Sequence, residues 1–200
     1  MTPVSPDNPW LIVGLGNPGS SYKGNRHNVG FQVLDTLADR YAFPAFQVKN
    51  QACFTKKQFK DGPLVYLLKP MTFMNLSGRS VGPFARFYHI PLNQLWVVHD
   101  DLDLAPGKVK IKQGGGTGGH RGLESLDGAL GKAYHRLRIG IGHPGRPERV
   151  ANYVLEDFSP KEDAWHPVLL GHLVDFFPLL LENKPEVYVS KVMQAMTVLR

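Results

Sequence analysis

Two short stretches of this chain hold side chains suited to proton chemistry. Asn17-Pro18-Gly19, Tyr22 and Arg26-His27-Asn28 follow the apolar run Leu11–Leu15, and the later run Leu95–Val98 ends directly in His99-Asp100-Asp101. A histidine backed by a carboxylate is a ready general base near neutral pH, because the carboxylate fixes the imidazole tautomer and stabilises the charge it gains. Ligands of open α/β sheets bind at the carboxyl ends of the strands. His27 and Asp100, each at the C-terminal edge of a strand, are therefore expected to meet above one sheet. The amides of Asn17 and Asn75, also at strand ends or loops, would complete a polar cluster there.

The elements that must position these groups follow from apolar spacing. Leu11–Leu15 reads as a buried strand, and Leu34, Leu37, Ala38 and Tyr41 stand at helical spacing in a helix beginning near Val29. Leu64–Lys69 is a strand closed by Pro70, and Asn75-Leu76-Ser77 opens a helix whose apolar face is Val81, Phe84, Ala85 and Tyr88. Leu95–Val98 is a third buried strand. Val109–Lys112 alternates strictly, which puts Lys108, Lys110 and Lys112 on one face of a half-exposed strand. Gly114–Gly119 is a glycine-rich loop running into a helix with Leu123, Leu126 and Leu130 inward. Arg136–Ile141 alternates again and ends in the loop Gly142-His143-Pro144-Gly145. Ser159-Pro160-Lys161-Glu162 is a capping box that predicts a helix, bent or broken near Pro167 and Pro178. Strands alternating with helices predict a single-domain α/β three-layer sandwich, and the two alternating strands make its twisted sheet mixed.

The chain divides into a flexible tail over residues 1–9, one domain over 10–185, and an extension of that domain over 186–200. Two hundred residues are enough for one such domain with a substantial core. A net charge of +6 points to a polyanionic partner. The single Cys53 excludes an intramolecular disulfide framework and any multi-cysteine metal site. The N-terminus lacks a basic segment followed by a long apolar stretch. The stretch Val168–Leu181 is interrupted by His172, Asp175 and Pro178 and is too short to span a bilayer. A cytoplasmic monomer without a membrane partner is expected.

Gly14, Gly16 and Gly19 match the dinucleotide fingerprint GxGxxG in spacing but not in context. Pro18 removes one N–H that would face a pyrophosphate, the helix starts about ten residues later, and no acidic residue ends a second strand at the expected distance. Gly114–Gly119 is not a P-loop, since no Lys-Ser/Thr pair follows it. With Lys110 and Lys112 before it and Arg121 after it, it suits a nucleic-acid phosphate. The eight histidines include no HxxxH or HExxH, so no metal is expected. The absence of GxSxG argues against a serine esterase of the α/β-hydrolase type.

Five blocks, GLGNPGSSYKGNRHNVGF (14–31), KPMTFMNLSG (69–78), VVHDDLDLAPGKVKIKQGGGTGGHRGL (97–123), HRLRIGIGHPG (135–145) and YVLEDFS (153–159), closely resemble the bacterial peptidyl-tRNA hydrolase family. The resemblance runs in order over about residues 10–185. It implies a cofactor-independent enzyme that cleaves the ester between a stalled peptide and the terminal ribose of tRNA. It further implies that His27 is the catalytic base and Asp100 the carboxylate that keeps it basic. Asn17 matches the asparagine that distinguishes N-blocked peptidyl esters from free aminoacyl esters. Tyr22, Phe73 and Asn75 match positions contacting the 3′ end and the peptide, with Met74 and His120 lining the cleft. Lys112 and Arg138 match a basic clamp for the tRNA 5′ phosphate.

One position departs from the family. GGHNG is usual where this chain reads Gly118-Gly119-His120-Arg121-Gly122. A guanidinium only donates, whereas an asparagine amide also accepts. Arg121 is thus suited to grip a phosphate or a developing oxyanion. The departure also admits a non-catalytic RNA-binding relative, a reading against which the retained Asn17, His27, Asn75 and Asp100 argue.

Overall fold

The apolar run after Pro9 forms the central strand of the sheet, because both of its faces are covered. In the computed structural model, which describes residues 9–60 and 62–197, β1 spans Trp10–Gly14 and all five residues are buried. The expected N-terminal tail lies, except for Pro9, outside the described residues. Parallel neighbours flank β1: β4 (Leu64–Pro70) on one side and β5 (Leu95–Asp101) on the other. Parallel strands covered on both faces are apolar in runs rather than in alternation, and β1, β4 and β5 have that character. A further parallel strand, β7 (His135–Gly140), pairs with β5, and β6 (Val109–Gln113) closes that edge antiparallel to β7. On the other edge β2 (Gln47–Lys49) and β3 (Ala52–Gln58) form an antiparallel hairpin against β4. The sheet order is β2-β3-β4-β1-β5-β7-β6. This is the mixed α/β sandwich that the sequence predicts.

Helices cover both faces. One core layer gathers Ile12, Val33, Leu34, Trp96 and Val98 against α1 (Val29–Arg40), α5 (His166–Asp175), α6 (Pro178–Leu181) and α7 (Pro185–Thr197). The opposite layer sets Leu11, Val13, Leu68 and Val97 against α2 (Ser77–Phe87) and α3 (Arg121–Leu130). Between β7 and α5 lies the short α4 (Val150–Leu155). No helix among the described residues is long and apolar enough to cross a membrane.

Several local expectations change. The β2–β3 hairpin turns through Asn50 and Gln51, both with positive φ, and its second position lacks the glycine that would have signalled such a turn. Ser159 and Glu162 form only half of the capping box: the Ser159 N–H and hydroxyl both donate to Glu162 Oε2 at 2.8 and 2.7 Å, while the Glu162 N–H goes to the Ser159 carbonyl and not to its hydroxyl. The chain nevertheless continues as turns, and the helix begins only at His166. Pro167 therefore falls in the first turn of α5, where a missing N–H costs nothing, and the break comes at Pro178, which starts α6. In α7, Tyr188 and Val192 are buried in the core, and the Tyr188 hydroxyl donates to the Leu173 carbonyl at 3.0 Å.

α1 crosses the β1–β5 seam at a glycine. A β-carbon on Gly30 would stand 2.4 Å from Leu15 N and 2.5 Å from Val98 O, the two atoms of a 3.0 Å interstrand hydrogen bond. That close approach sets the start of α1, and hence the turn bearing His27, over the end of β5. Gly30→Ala should cost roughly 1–3 kcal/mol by overpacking, lowering the melting temperature by about 2–4 °C per kcal/mol. Gly116→Ala, where an added β-carbon meets nothing within 4 Å, should leave the melting curve unchanged.

Candidate active site

The site is built around one buried carboxylate. Asp100 lies inside β5 rather than beyond it, paired in register with Ile139 of β7, so its backbone is fixed to that neighbouring strand. Its Oδ1 accepts from His27 Nδ1 at 2.9 Å and from His120 Nε2 at 3.1 Å. His27 does not stand at a strand end: it occupies a 3₁₀ turn, Arg26–Asn28, immediately before α1. His120 is the N-cap of α3, its Nδ1 accepting from the N–H groups of Gly122 and Leu123 at 3.1 and 3.4 Å. Because Nδ1 of His120 accepts, its Nε2 carries the proton given to Asp100. Since an ionised carboxylate only accepts, His27 carries its proton on Nδ1, and its Nε2 keeps the lone pair.

Electrostatics follow from burial and pairing. Burial pushes the Asp100 carboxyl upward, but the charges and hydrogen bonds of His27 and His120 outweigh it and hold the group well below the usual carboxylate range. For His27, burial pulls the imidazole down, while the charge and hydrogen bond of Asp100 raise it, with a net rise above the ordinary value of 6.5. His99, buried and edge-on to His120 at 5.0 Å between ring centroids, is lowered to about 3 by burial and by that neighbour. It remains a neutral ring. His27, Asp100 and His120 place one donor atom each within 4.8 Å of one another, a spacing that would admit a metal ion. Here both imidazoles are hydrogen-bonded to one Asp100 oxygen, at 2.9 and 3.1 Å.

Two asparagines brace the turn. The Asn17 N–H donates to Asn28 Oδ1, and Asn28 Nδ2 donates back to the Asn17 carbonyl, each at 2.9 Å. Asn17 Oδ1 accepts the Met74 N–H at 2.8 Å, which joins the loop after β1 to the loop after β4. The side chain of Asn17 is left with its Nδ2 as a donor at the cleft. Arg26, itself buried, anchors the turn from behind. It makes a bidentate pair with Glu162 at 3.0 and 2.6 Å and donates to the Tyr153 carbonyl at 3.1 Å.

The structure collects nearly all of the expected residues around one cleft of about 1320 Å³: Asn17, Tyr22, His27, Phe73, Met74, Asn75, Asp100, Lys112, His120, Arg121 and Arg138 line it. Phe73 is 58% exposed at its rim, an unusual position for a phenylalanine without a partner. Lys110 is not part of the lining. It sits across from Arg138 in the β6–β7 ladder, exposed on the outer strand. Two of the expected cations already have partners: Arg138 Nε donates to Asp101 Oδ2 at 2.6 Å, and Arg121 donates to Glu124 Oε2 at 3.0 Å on the exposed surface.

Sequence reasoning gave no role to Asn28 and Arg26, which brace the turn carrying His27, and it missed Val150, Ala151, Val154 and Leu155 of α4, which form an apolar wall. It also missed Arg136, buried beneath the glycine loop. An arginine on an alternating strand carries no local signal that its side chain will be buried. The five-residue spacing of α4's apolar side chains is too short to mark a helix by itself.

Similarity to known proteins agrees with this geometry. The peptidyl-tRNA hydrolase family model matches residues 11–198. A peptidyl-tRNA hydrolase of Rhodospirillum rubrum is 50% identical over 182 residues, covering 91% of this chain and 74% of the relative. One from Beijerinckia indica is 47% identical over 186 residues, covering 93% of each. The crystal structure of peptidyl-tRNA hydrolase from Acinetobacter baumannii, 39% identical, aligns with a TM-score of 0.87 over 95% of this chain and 97% of that one. On sequence, fold and coverage together, this chain belongs to the peptidyl-tRNA hydrolase family.

Proposed function

We propose that this protein hydrolyses the ester bond of peptidyl-tRNA, with His27 as general base supported by Asp100. The observation that carries this reading is the 2.9 Å contact between His27 Nδ1 and the buried Asp100 carboxylate, which leaves Nε2 basic at the cleft. Nε2 takes a proton from water, and the oxygen so activated attacks the ester carbonyl. The tetrahedral intermediate expels the ribose oxygen, which recovers the proton from the imidazolium. Asp100 stays ionised throughout and stabilises the transient cation, as a triad aspartate does. The amides of Asn17 and Asn75 hold the peptide carbonyl, and Asn17 does so with an orientation fixed by the Met74 N–H. Tyr22, Phe73 and Met74 receive the peptide and the 3′ end, beside His120. An ester is activated enough for one base, a bound water and a few donors to suffice.

Cations on the β6–β7 side serve the tRNA. Lys112 and Arg138 take the 5′ phosphate, with Lys110 adding positive charge further out. Arg138 spends its Nε on Asp101, so its terminal amino groups make the phosphate contact. Arg121 is held by Glu124 in a pair of the exposed kind that contributes little and is readily exchanged for a phosphate. A purely RNA-binding role would leave the hydrogen-bonded base without a use.

The direct test is release of N-acetyl-amino acid from N-acetyl-aminoacyl-tRNA; wild-type protein that binds the tRNA but releases nothing would overturn the reading. His27→Ala should lower kcat by about 10²–10⁴ while tRNA binding persists. The rate should fall as pH drops through the His27 pKa, which lies above 6.5 because Asp100 favours the imidazolium. Asp100→Asn removes that charge, so the midpoint of the acidic limb should move to lower pH, together with a fall in kcat. Lys112→Ala should raise KM more than it lowers kcat and reduce the log–log salt slope by about one. Arg121→Asn should weaken tRNA binding, most at low salt, with kcat little changed; a higher kcat at an unaltered salt slope would assign Arg121 to the cleft chemistry instead.

A further inference from the structure

Arg136 takes no part in the reaction above, yet it is one of the largest fully buried side chains in the protein. Its guanidinium donates to the Gly116 carbonyl through Nη1 at 2.9 Å. Nη2 donates to Asp127 Oδ1 at 3.1 Å and reaches the Gly115 carbonyl at 3.4 Å. Asp127 Oδ1 also accepts the Tyr134 hydroxyl at 2.6 Å, and the guanidinium lies 5.0 Å from the Tyr134 ring centroid. Nε is buried and has no partner. Burying an ion pair stabilises a fold no better than apolar packing of the same volume. A fork of donors does what an apolar side chain cannot: it pins two carbonyls of a glycine loop.

That pinning has a directional consequence. In a trans peptide unit the C=O and N–H point in opposite directions, and no described peptide bond is cis. With the Gly115 and Gly116 carbonyls drawn inward to Arg136, the N–H groups of Gly116 and Thr117 are turned away from it. Among the described residues neither donates to a protein acceptor. Both residues line the cleft, and the space beside Gly116 is open. The Lys112 ammonium lies alongside, since a β-carbon on Gly115 would sit 2.7 Å from Lys112 Nζ. Outward main-chain N–H groups beside an ammonium match a phosphate, whose charge is spread over several oxygens.

We propose that Arg136 is a positioning residue that aims the Gly116 and Thr117 N–H groups, next to Lys112, at a phosphate of the tRNA. The inference rests on the hydrolase reading above. The phosphate is either the 5′-terminal monoester or an internal phosphodiester of the acceptor strand; both present the same oxygens.

The test compares two esters, N-acetyl-aminoacyl-tRNA and the same N-acetyl-aminoacyl group on a CCA trinucleotide. Arg136→Lys keeps the charge beside Asp127 but cannot span two carbonyls. It should raise KM for the whole tRNA on the order of tenfold, with kcat little changed and the trinucleotide reaction unaffected. Equal losses on both esters, or a folded variant with no loss on either, would overturn the proposal. Should Arg136→Lys fail to fold, Thr117→Pro removes one N–H at the surface and leaves Arg136 in place. The same split between substrates is then expected, and an unchanged KM for tRNA would count against it. Repeating the comparison with 5′-hydroxyl tRNA identifies the phosphate: the variant's defect disappears if the partner is the 5′ monoester and persists if it is internal. Wild-type protein inactive on both esters would overturn the hydrolase reading alone, because the Arg136→Lys defect would still register in direct tRNA-binding affinity.

Discussion

Asp100 is an anion at the end of an interior strand, and the constraint it imposes reaches most of the site. A carboxylate removed from water is costly unless its oxygens receive strong donors. Here those donors are two imidazoles on one oxygen, at 2.9 and 3.1 Å. Each imidazole must in turn be held. His120 is held because it caps α3, so the helix cannot shift without disturbing the carboxylate. His27 is held because its turn is braced by the reciprocal Asn17–Asn28 bonds in front and by the Arg26–Glu162 pair behind. The same bonds that satisfy the anion set the tautomer that leaves His27 Nε2 free to act.

Positive charge around the cleft is graded by how fully the protein already uses it. Arg136 is consumed internally and shapes a loop. Arg138 is half engaged, with one nitrogen on Asp101. Arg121 is tethered to Glu124 at the open surface. Lys112, exposed beside the glycine loop, is the most available of the four. A long-range field for a polyanion comes from all of them, since screening is set by distance, whereas geometric recognition falls to those with free donors. Two of the acidic residues lining this part of the cleft, Asp101 and Glu124, orient cations that would otherwise sweep a wide volume.

Backbone proximity is the other organising element. α1 can lie against the β1–β5 seam only because Gly14 and Gly30 face each other, a β-carbon on Gly14 falling 2.2 Å from Gly30 O. Gly78 performs the same service between α2 and α3, where its β-carbon would meet Ser125 O at 2.2 Å. These contacts fix helix starts relative to strand ends. At a site assembled from helix starts and strand ends, they fix the chemistry as well.

Much of this was legible in the chain itself. Apolar runs are enough to locate β1, β4 and β5, because a strand covered on both faces must be apolar throughout, and helical spacing located α1, α2 and α3. Residue types were enough to nominate His27 and Asp100, since few side chains combine proton transfer near neutral pH with a partner that supports it. The β2–β3 hairpin escaped because its turn uses Asn50 and Gln51 without a glycine, and the end of β5 because a strand ending in His99-Asp100-Asp101 looks polar until its partners are known. Only the tertiary structure decided which nitrogen of His27 keeps its lone pair, that Arg136 is buried under the glycine loop while Arg138 is partly open, and that Asn28 and Arg26 brace the His27 turn. Those outcomes depend on hydrogen bonds between residues far apart in the chain, as from Arg26 to Glu162, and no local pattern of apolar and polar residues encodes which distant acceptor a donor will meet.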